Sequence, residues 1–320
     1  MDTRKFLHIF GSREIFILIS LVVIFGAIPP LAGSMYILNI GIRIFLWTLL
    51  TQSWNLLSGY TGYTNIGVAA FYGLGAYIIG LSIVYNIPII VALFMAAIIP
   101  SFLGLVIGGV SLRLRGTYFS ITTLMILLII SNIFYNISYF IPRTTSEIWI
   151  PQIPMSIGGM SLILSYYFIF YVLFVVVTIT TYVIEKSKLG YALKAVGEDE
   201  MVAEELGINT TKIKVIALML GTIISGIAGA LYGMYLSYID VPIFFSTFLT
   251  FVVMYVAVLG GKGVWYGPII GTLLYVPVDE AIVLLTNIPE YSRIFYGLLF
   301  VLVMLLMPEG IGGFIKKKIR

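Results

Sequence analysis

The chain has 320 residues, 60% of them hydrophobic and 10% charged, with a formal net charge of +4 and no cysteine. Soluble domains carry about 25% charged residues, so there is too little polar surface here to cover a globule, and the lack of cysteine excludes disulfides, thiolate catalysis and cysteine–metal sites. Apolar runs of about 20 residues, the length that crosses ~30 Å of hydrocarbon, recur from end to end. The expectation is an all-α polytopic membrane protein, in which the positive charge reflects loop placement rather than nucleic-acid binding.

About ten spans are expected, at 14–33, 36–57, 64–84, 88–110, 117–136, 161–184, 213–237, 246–260, 265–286 and 291–308. They make a transmembrane domain over 14–308, preceded by a cytoplasmic segment 1–13 and followed by a basic tail 309–320. The first run, Ile15–Leu31, ends in Pro29-Pro30 and reads as a retained span rather than a cleaved signal segment. With the N-terminus inside, all but Arg43, Arg143 and Arg293 of the 18 basic residues fall in cytoplasmic segments. This positive-inside bias sets an N-in, C-in orientation and lays Lys316, Lys317 and Lys318 against anionic lipid headgroups. The run 246–260 is short enough for a re-entrant hairpin to be an alternative there. Two connections are long, an extracytoplasmic one at 137–160 and a cytoplasmic one at 185–212.

Residues 59–80, GYTGYTNIGVAAFYGLGAYIIG, concentrate six glycines. No lysine follows the glycine pairs and no G-x-x-x-x-G-K-[ST] sequence occurs anywhere, so a phosphate loop is not expected. Gly62, Ala69, Gly73, Ala76 and Gly80 lie near one helical face, a spacing that lets helix backbones approach closely in a membrane. A helix-packing role is expected of these five, with Gly59–Thr64 as the turn before them. The single histidine, His8, precedes the first span, so no histidine metal site or catalytic pair is expected in the membrane. No cofactor is expected either.

Charges at membrane depth usually mark function. Arg43, Asp279 and Glu280 each lie about 10 Å from the outer end of their spans at 1.5 Å per residue. An ion pair is expected between Arg43 and one of the two acids, since adjacent helical residues point about 100° apart; snorkelling to headgroups is the alternative. Asn55, Thr64, Asn65, Thr122, Thr123 and Asn132 are, with those three, candidates to line a polar path, or else residues bonded to a neighbouring helix or their own backbone.

The loop 185–212, EKSKLGYALKAVGEDEMVAEELGINTTK, reads as two short helices. Leu189, Ala192, Leu193 and Val196 form a stripe on the first, with Gly197 as its left-handed cap. Glu198, Asp199 and Glu200 open the second, which Gly207 closes, and Asn209-Thr210 caps the next span. Such a pair either lies on the bilayer surface or docks into a soluble partner's groove.

Four segments, GYTGYTNIGVAAFYGLGAY, RLRGTYFSITTL, LGYALKAVGEDEMVAEELGIN and LGGKGVWYGPIIGTLL, resemble in order and spacing the permeases of ABC importers of the branched-chain amino acid type, the LivM-like group. The resemblance covers roughly residues 40–310. It implies that 185–212 is a coupling loop gripped by a cytoplasmic ATPase, with Gly190, Ala192, Leu193, Ala195, Ala203, Leu206 and Gly207 at matching positions; Glu198, at the junction of the two helices, joins the expected contact set. It also implies two inverted halves of about five spans each. The expected function is that of a permease subunit, not an enzyme, in the plasma membrane, moving a small polar solute such as a branched-chain amino acid inward by alternating access. The expected partners are a second homologous permease, two ABC ATPase subunits, an extracytoplasmic solute-binding protein and membrane lipid. An ion-gradient-driven secondary transporter or channel is the competing class.

Overall fold

The computed structural model describes residues 34–114, 116–141, 144–151 and 161–286, together with 25–26, 30, 294–295 and 297–298. Helix α1 (Met35–Trp54) runs into a π-helical turn at Asn55–Gly59, and α2 (Val68–Val84), α3 (Ile89–Ser111), α4 (Thr117–Tyr135) and the short α5 (Ile137–Phe140) follow. After strand β1 (Ile148–Trp149) come α6 (Leu162–Glu185), α7 (Lys188–Glu198), α8 (Glu200–Glu205) and α9 (Thr210–Leu236). Strand β2 (Tyr238–Ile239), α10 (Val241–Phe244), α11 (Thr247–Gly260) and α12 (Gly267–Thr286) complete the order. Among the described residues, 7 segments are long and apolar enough to cross a membrane, and α2 is a shorter apolar helix. The expected first and last spans, 14–33 and 291–308, lie almost wholly outside the described residues, as does the tail 309–320. Residues 247–260 form one continuous helix, with no hairpin.

Helix α9 occupies the centre, against α2 on one side and α3 on the other. Small residues make this possible. A methyl on Gly75 of α2 would lie 1.9 Å from the Gly226 carbonyl oxygen, and one on Gly229 would lie 1.9 Å from that of Tyr72. On the far side of α9, a methyl on Gly226 would lie 2.2 Å from the carbonyl oxygen of Ala96 in α3. Backbone therefore touches backbone on both flanks, the contact that replaces hydrophobic drive between helices in lipid.

The five-residue packing face expected from spacing is corrected here. Gly62 is not helical: it sits in the turn at φ 77° with open space around its α-carbon, because the helix begins only at Val68. Gly73 meets the Phe245 ring, and Gly80 meets Ile239 and Ile148, so this face receives side chains from the α10 and β1–β2 region. Ala69 and Ala76 are fully buried, and the Ala76 methyl lies near Gly233 of α9. The backbone contact belongs to Gly75, one position off that face.

At the end of α2, Ile148 and Ile239 pair antiparallel and are buried. This two-strand clasp ties part of the 137–160 connection to the α9–α10 junction, at the end of α6 opposite to α7 and α8.

Gly75→Ala, which sets a methyl into the Gly226 carbonyl, is expected to cost about 3 kcal/mol, the upper range for overpacking. Gly73→Ala faces an aromatic ring that can turn and is expected to cost about 1 kcal/mol or less. Thermal unfolding of both variants in detergent checks the order; equal melting temperatures would contradict it.

Candidate coupling site

Two turns lie at the end of the bundle where α7 and α8 sit. In the first, the π-helical turn releases the chain into an irregular stretch, 62–67, that needs side chains to satisfy its backbone. Ser58 Oγ accepts from Asn65 N at 2.9 Å, Asn65 Oδ1 from Gly67 N at 2.8 Å, and Thr123 Oγ1 from Ile66 N at 3.0 Å. Ser120 Oγ donates to the Thr64 carbonyl at 2.8 Å. The second turn, 261–266, is held to the first: Asn55 Nδ2 donates to the Val264 carbonyl at 3.0 Å, and Asn55 Oδ1 accepts from Gly263 N at 2.9 Å. Gln52 adds a bond to the Trp265 carbonyl at 2.6 Å. Four of the candidate path residues thus meet at this pair of turns: Asn55, Asn65 and Thr123 as struts of irregular backbone, and Thr64 as part of the backbone they hold. Thr122 and Asn132 lie apart, on the exposed face of α4, each bonded to its own helix at the Tyr118 and Leu128 carbonyls.

The α7–α8 pair is built onto these turns. Helix α7 starts at Ser187, whose hydroxyl accepts from Gly190 N, and Gly190 permits the tight return from α6, since a methyl there would meet the Ile184 carbonyl at 2.2 Å. The stripe on α7 does not face outward: Leu193 is buried in a cluster with Leu57, Tyr60, Tyr63 and Leu112, Leu189 packs against that cluster, and Val196 is buried too. Gly197 is corrected from a cap to a helical residue, and a methyl on it would press on the Tyr60 carbonyl at 2.2 Å. Asp199 ends α7 and caps α8, accepting from Met201 N at 2.9 Å and Val202 N at 3.2 Å. Gly207, at φ 82°, closes α8, and Asn209 Oδ1 accepts from Lys212 N at 3.0 Å to open α9.

Of the expected contact set, Gly190, Leu193 and Ala203 face inward and hold the pair in place; Ala192 and Ala195 are half-buried; Glu198, Leu206 and Gly207 are exposed. The apolar surface left open is different. It comprises Leu206 at 75% exposure, Tyr191 at 63%, Met201 at 60% and Val202 at 49%. Tyr191 and Val202 were missed because the stripe at Leu189–Val196 is the stronger periodic signal, and a second apolar face opposite a buried one shows no moment of its own.

Two ionic contacts, each with one buried member, fasten the pair. Glu185, at the end of α6, accepts from Lys194 Nζ at 2.8 Å, the Tyr60 hydroxyl at 2.9 Å and Trp265 N at 2.7 Å. Glu200, first residue of α8, accepts from Lys214 Nζ at 2.6 Å and from the Tyr63 hydroxyl. Burial pushes the Glu200 carboxyl up, but the hydrogen bonds from Lys214 and Tyr63 outweigh it and hold the group below its ordinary value of 4.5. A depressed carboxyl stabilises the fold above its unfolded pKa and loses that contribution as pH falls through its folded value.

At the opposite end, Arg43 of α1 pairs with both acids of α12, not one: Nη2 lies 2.6 Å from Asp279 Oδ2, and Nη1 bonds Glu280. The fork of the guanidinium spans two carboxylates that diverge by one helical step.

Residues 36–304 match the family model described as the permease component of branched-chain amino acid transport systems. The chain is 27% identical to the high-affinity branched-chain amino acid permease LivM of Salmonella typhimurium, over 88% of this chain and 71% of that one. It is 28% identical to BraD of Pseudomonas aeruginosa, over 83% and 91%. A 145-residue part is 34% identical to LivH of Salmonella typhimurium, over 45% of this chain and 46% of that one. No solved structure matches the chain.

Three outcomes test the geometry. Asp279→Asn or Glu280→Gln alone leaves Arg43 one carboxylate and is expected to shift the melting temperature little, whereas the double change should match Arg43→Gln, about 1–3 kcal/mol destabilised. Limited proteolysis of 199–207 is expected to stay constant from neutral pH to about pH 5 and to accelerate only below the ordinary carboxylate range. In Glu200→Gln that acid-induced acceleration should vanish. With a family model matched over most of its length and apolar helices long enough to cross the bilayer, the chain belongs to the branched-chain amino acid permease family of LivM-like, multi-pass plasma-membrane transport subunits rather than enzymes.

Proposed function

We propose that the chain is one permease subunit of an ABC importer that carries branched-chain amino acids inward by alternating access. In this reading it has ten spans over 14–308 in two inverted halves, with 1–13, the coupling loop 185–212 and the tail 309–320 in the cytoplasm and 137–160 outside. A second homologous permease, two ATPase subunits and an extracytoplasmic binding protein complete the importer.

One observation carries this: α7–α8 is apolar on both faces. One face is buried in the bundle, and the other exposes Tyr191, Met201, Val202 and Leu206. Glu198, Asp199, Glu204 and Glu205 are exposed on the same pair, against one exposed lysine, Lys188. Helices that lie on membranes flank their apolar face with lysine and arginine, which anionic headgroups attract; four acids here do the reverse. An apolar surface with an acidic excess suits a protein groove edged with basic residues, and the ATPase of the importer is the partner that fits. The two ATPase states would grip this surface differently, and that difference shifts the permease between its conformations.

Helix α4 buries only Phe119, Thr123 and Leu127. Its open face carries Thr122 and Asn132, and we place the solute path along it, closed on the other side by the second permease.

The docking reading is tested by co-expressing the chain with its neighbouring ATPases. Met201→Glu with Leu206→Glu is expected to abolish co-purification while leaving the permease folded; retained ATPases would refute the docking surface. For the path, the absence of native cysteine makes a direct test available. Cysteines at positions 122 and 132 are expected to react with a charged, water-soluble thiol reagent and, once modified, to block uptake by about tenfold or more, as filling a narrow path would. Unreactive cysteines would place that face in lipid.

A further inference from the structure

The first turn repeats a dipeptide, Tyr60-Thr61 and Tyr63-Thr64. Both tyrosines enter the same arrangement. Tyr60 donates to Glu185 at 2.9 Å, Glu185 accepts from Lys194 at 2.8 Å, and the Lys194 ammonium lies 5.7 Å from the centre of the Tyr60 ring. Tyr63 donates to Glu200, Glu200 accepts from Lys214 at 2.6 Å, and the Lys214 ammonium lies 4.0 Å from the centre of the Tyr63 ring. Each is a closed triangle of phenol, carboxylate and ammonium, with the cation both paired and held over the ring.

The ownership of the charges matters more than the likeness. In the first triangle the helical pair supplies the lysine, Lys194 of α7, and the membrane helix α6 supplies the acid. In the second the pair supplies the acid, Glu200 of α8, and the membrane helix α9 supplies the lysine. One charged member always belongs to α7–α8, the other to the bundle, and the third corner is a tyrosine of the 55–67 turn.

Apolar contacts between helices slide with little penalty, but these cannot. Lys214 is 1% exposed and Glu185 8% exposed, so drawing either pair apart would leave a buried charge without compensation. Lys214 also donates to the Leu112 carbonyl at 3.3 Å, at the end of α3, and Glu185 accepts from Trp265 N in the second turn. A displacement of α7–α8 must therefore carry the turn with it.

We propose that Tyr60 and Tyr63, each locked to its glutamate–lysine pair, are the positioning residues that transmit movement of α7–α8 into the 55–67 turn and from there into α1 and α2. This rests on the docking reading above, and adds to it the route by which a partner's motion enters the membrane.

The test uses the whole importer, with its ATPases and binding protein, in proteoliposomes, where uptake and ATP hydrolysis are read on one sample. Tyr60→Phe and Tyr63→Phe remove one hydroxyl each and keep the ring. The expected result is that both variants retain the ATPases and still hydrolyse ATP, while uptake per ATP falls severalfold in each and about tenfold or more in the double variant, the scale of losing charge-assisted hydrogen bonds. Tyr63→Phe added to Glu200→Gln should cause no further loss, because the triangle is already open. Wild-type uptake per ATP in the double variant, or loss of the ATPases from it, would overturn the linkage. Failure of the wild-type chain itself to retain ATPases would instead overturn the docking reading beneath it.

Discussion

The backbone contact of α9 with α2 and α3 fixes where everything else can be. In hydrocarbon, apolar side chains gain little by leaving lipid for one another, so helices associate through close van der Waals contact and hydrogen bonds. Gly226 lies between Gly75 of α2 and Ala96 of α3, and Gly229 meets Tyr72. With three helices held at backbone distance, their ends are held too. Lys214, one turn into α9, then reaches the Leu112 carbonyl at the end of α3 and Glu200 on α8. The polar site at one end of the bundle is a consequence of the dry contact in its middle.

Irregular backbone buried among helices survives only where protein satisfies it. The stretch 62–67 is the case in point, lying between a π-helical turn and α2. Its amides and carbonyls are answered by Ser58, Ser120, Thr123 and the side chain of Asn65. Asn55, Asn65 and Thr123, which appear from sequence as polar lining, are therefore occupied in holding a shape. Thr122 and Asn132, bonded back to their own helix, lie on the open side of α4.

Helices α1 to α4, α6, α9, α11 and α12 were legible in the sequence because composition and run length decide them, and the two-helix character of 185–212 followed from caps and periodicity. What the sequence did not disclose was the identity of each neighbour. Helix α2 is so rich in small residues that two of its faces satisfy a close-packing pattern, and spacing alone chose the face of Gly73 over that of Gly75. Gly62 was in phase with a helix that had not yet begun. Gly197 reads as a cap because glycine after an apolar stripe usually is one, yet its smallness serves the Tyr60 carbonyl. The Tyr–Glu–Lys triangles join residues 125 and 137 positions apart, and no local pattern announces such pairs. Arg43 with its acids was visible because charge is rare at that depth.

The two charged ends of the bundle differ in a way that suits different tasks. Among the described residues, Arg43 is one cation paired with two carboxylates, and its side chain is 33% exposed. Either acid can let go while the other keeps the guanidinium paired, so this end can rearrange or accept another cation without leaving an orphaned charge. The triangles at the other end are stoichiometric, one ammonium to one carboxylate, and the lysine of the second is buried to 1% exposure. There, separation would leave a buried charge without its counter-ion. Surplus charge with water access allows exchange, whereas balanced charge without it enforces rigid motion. If α7–α8 is the driven end, as proposed above, a rigid pairing there would keep displacement from being lost in side-chain rearrangement, while the opposite end could adapt.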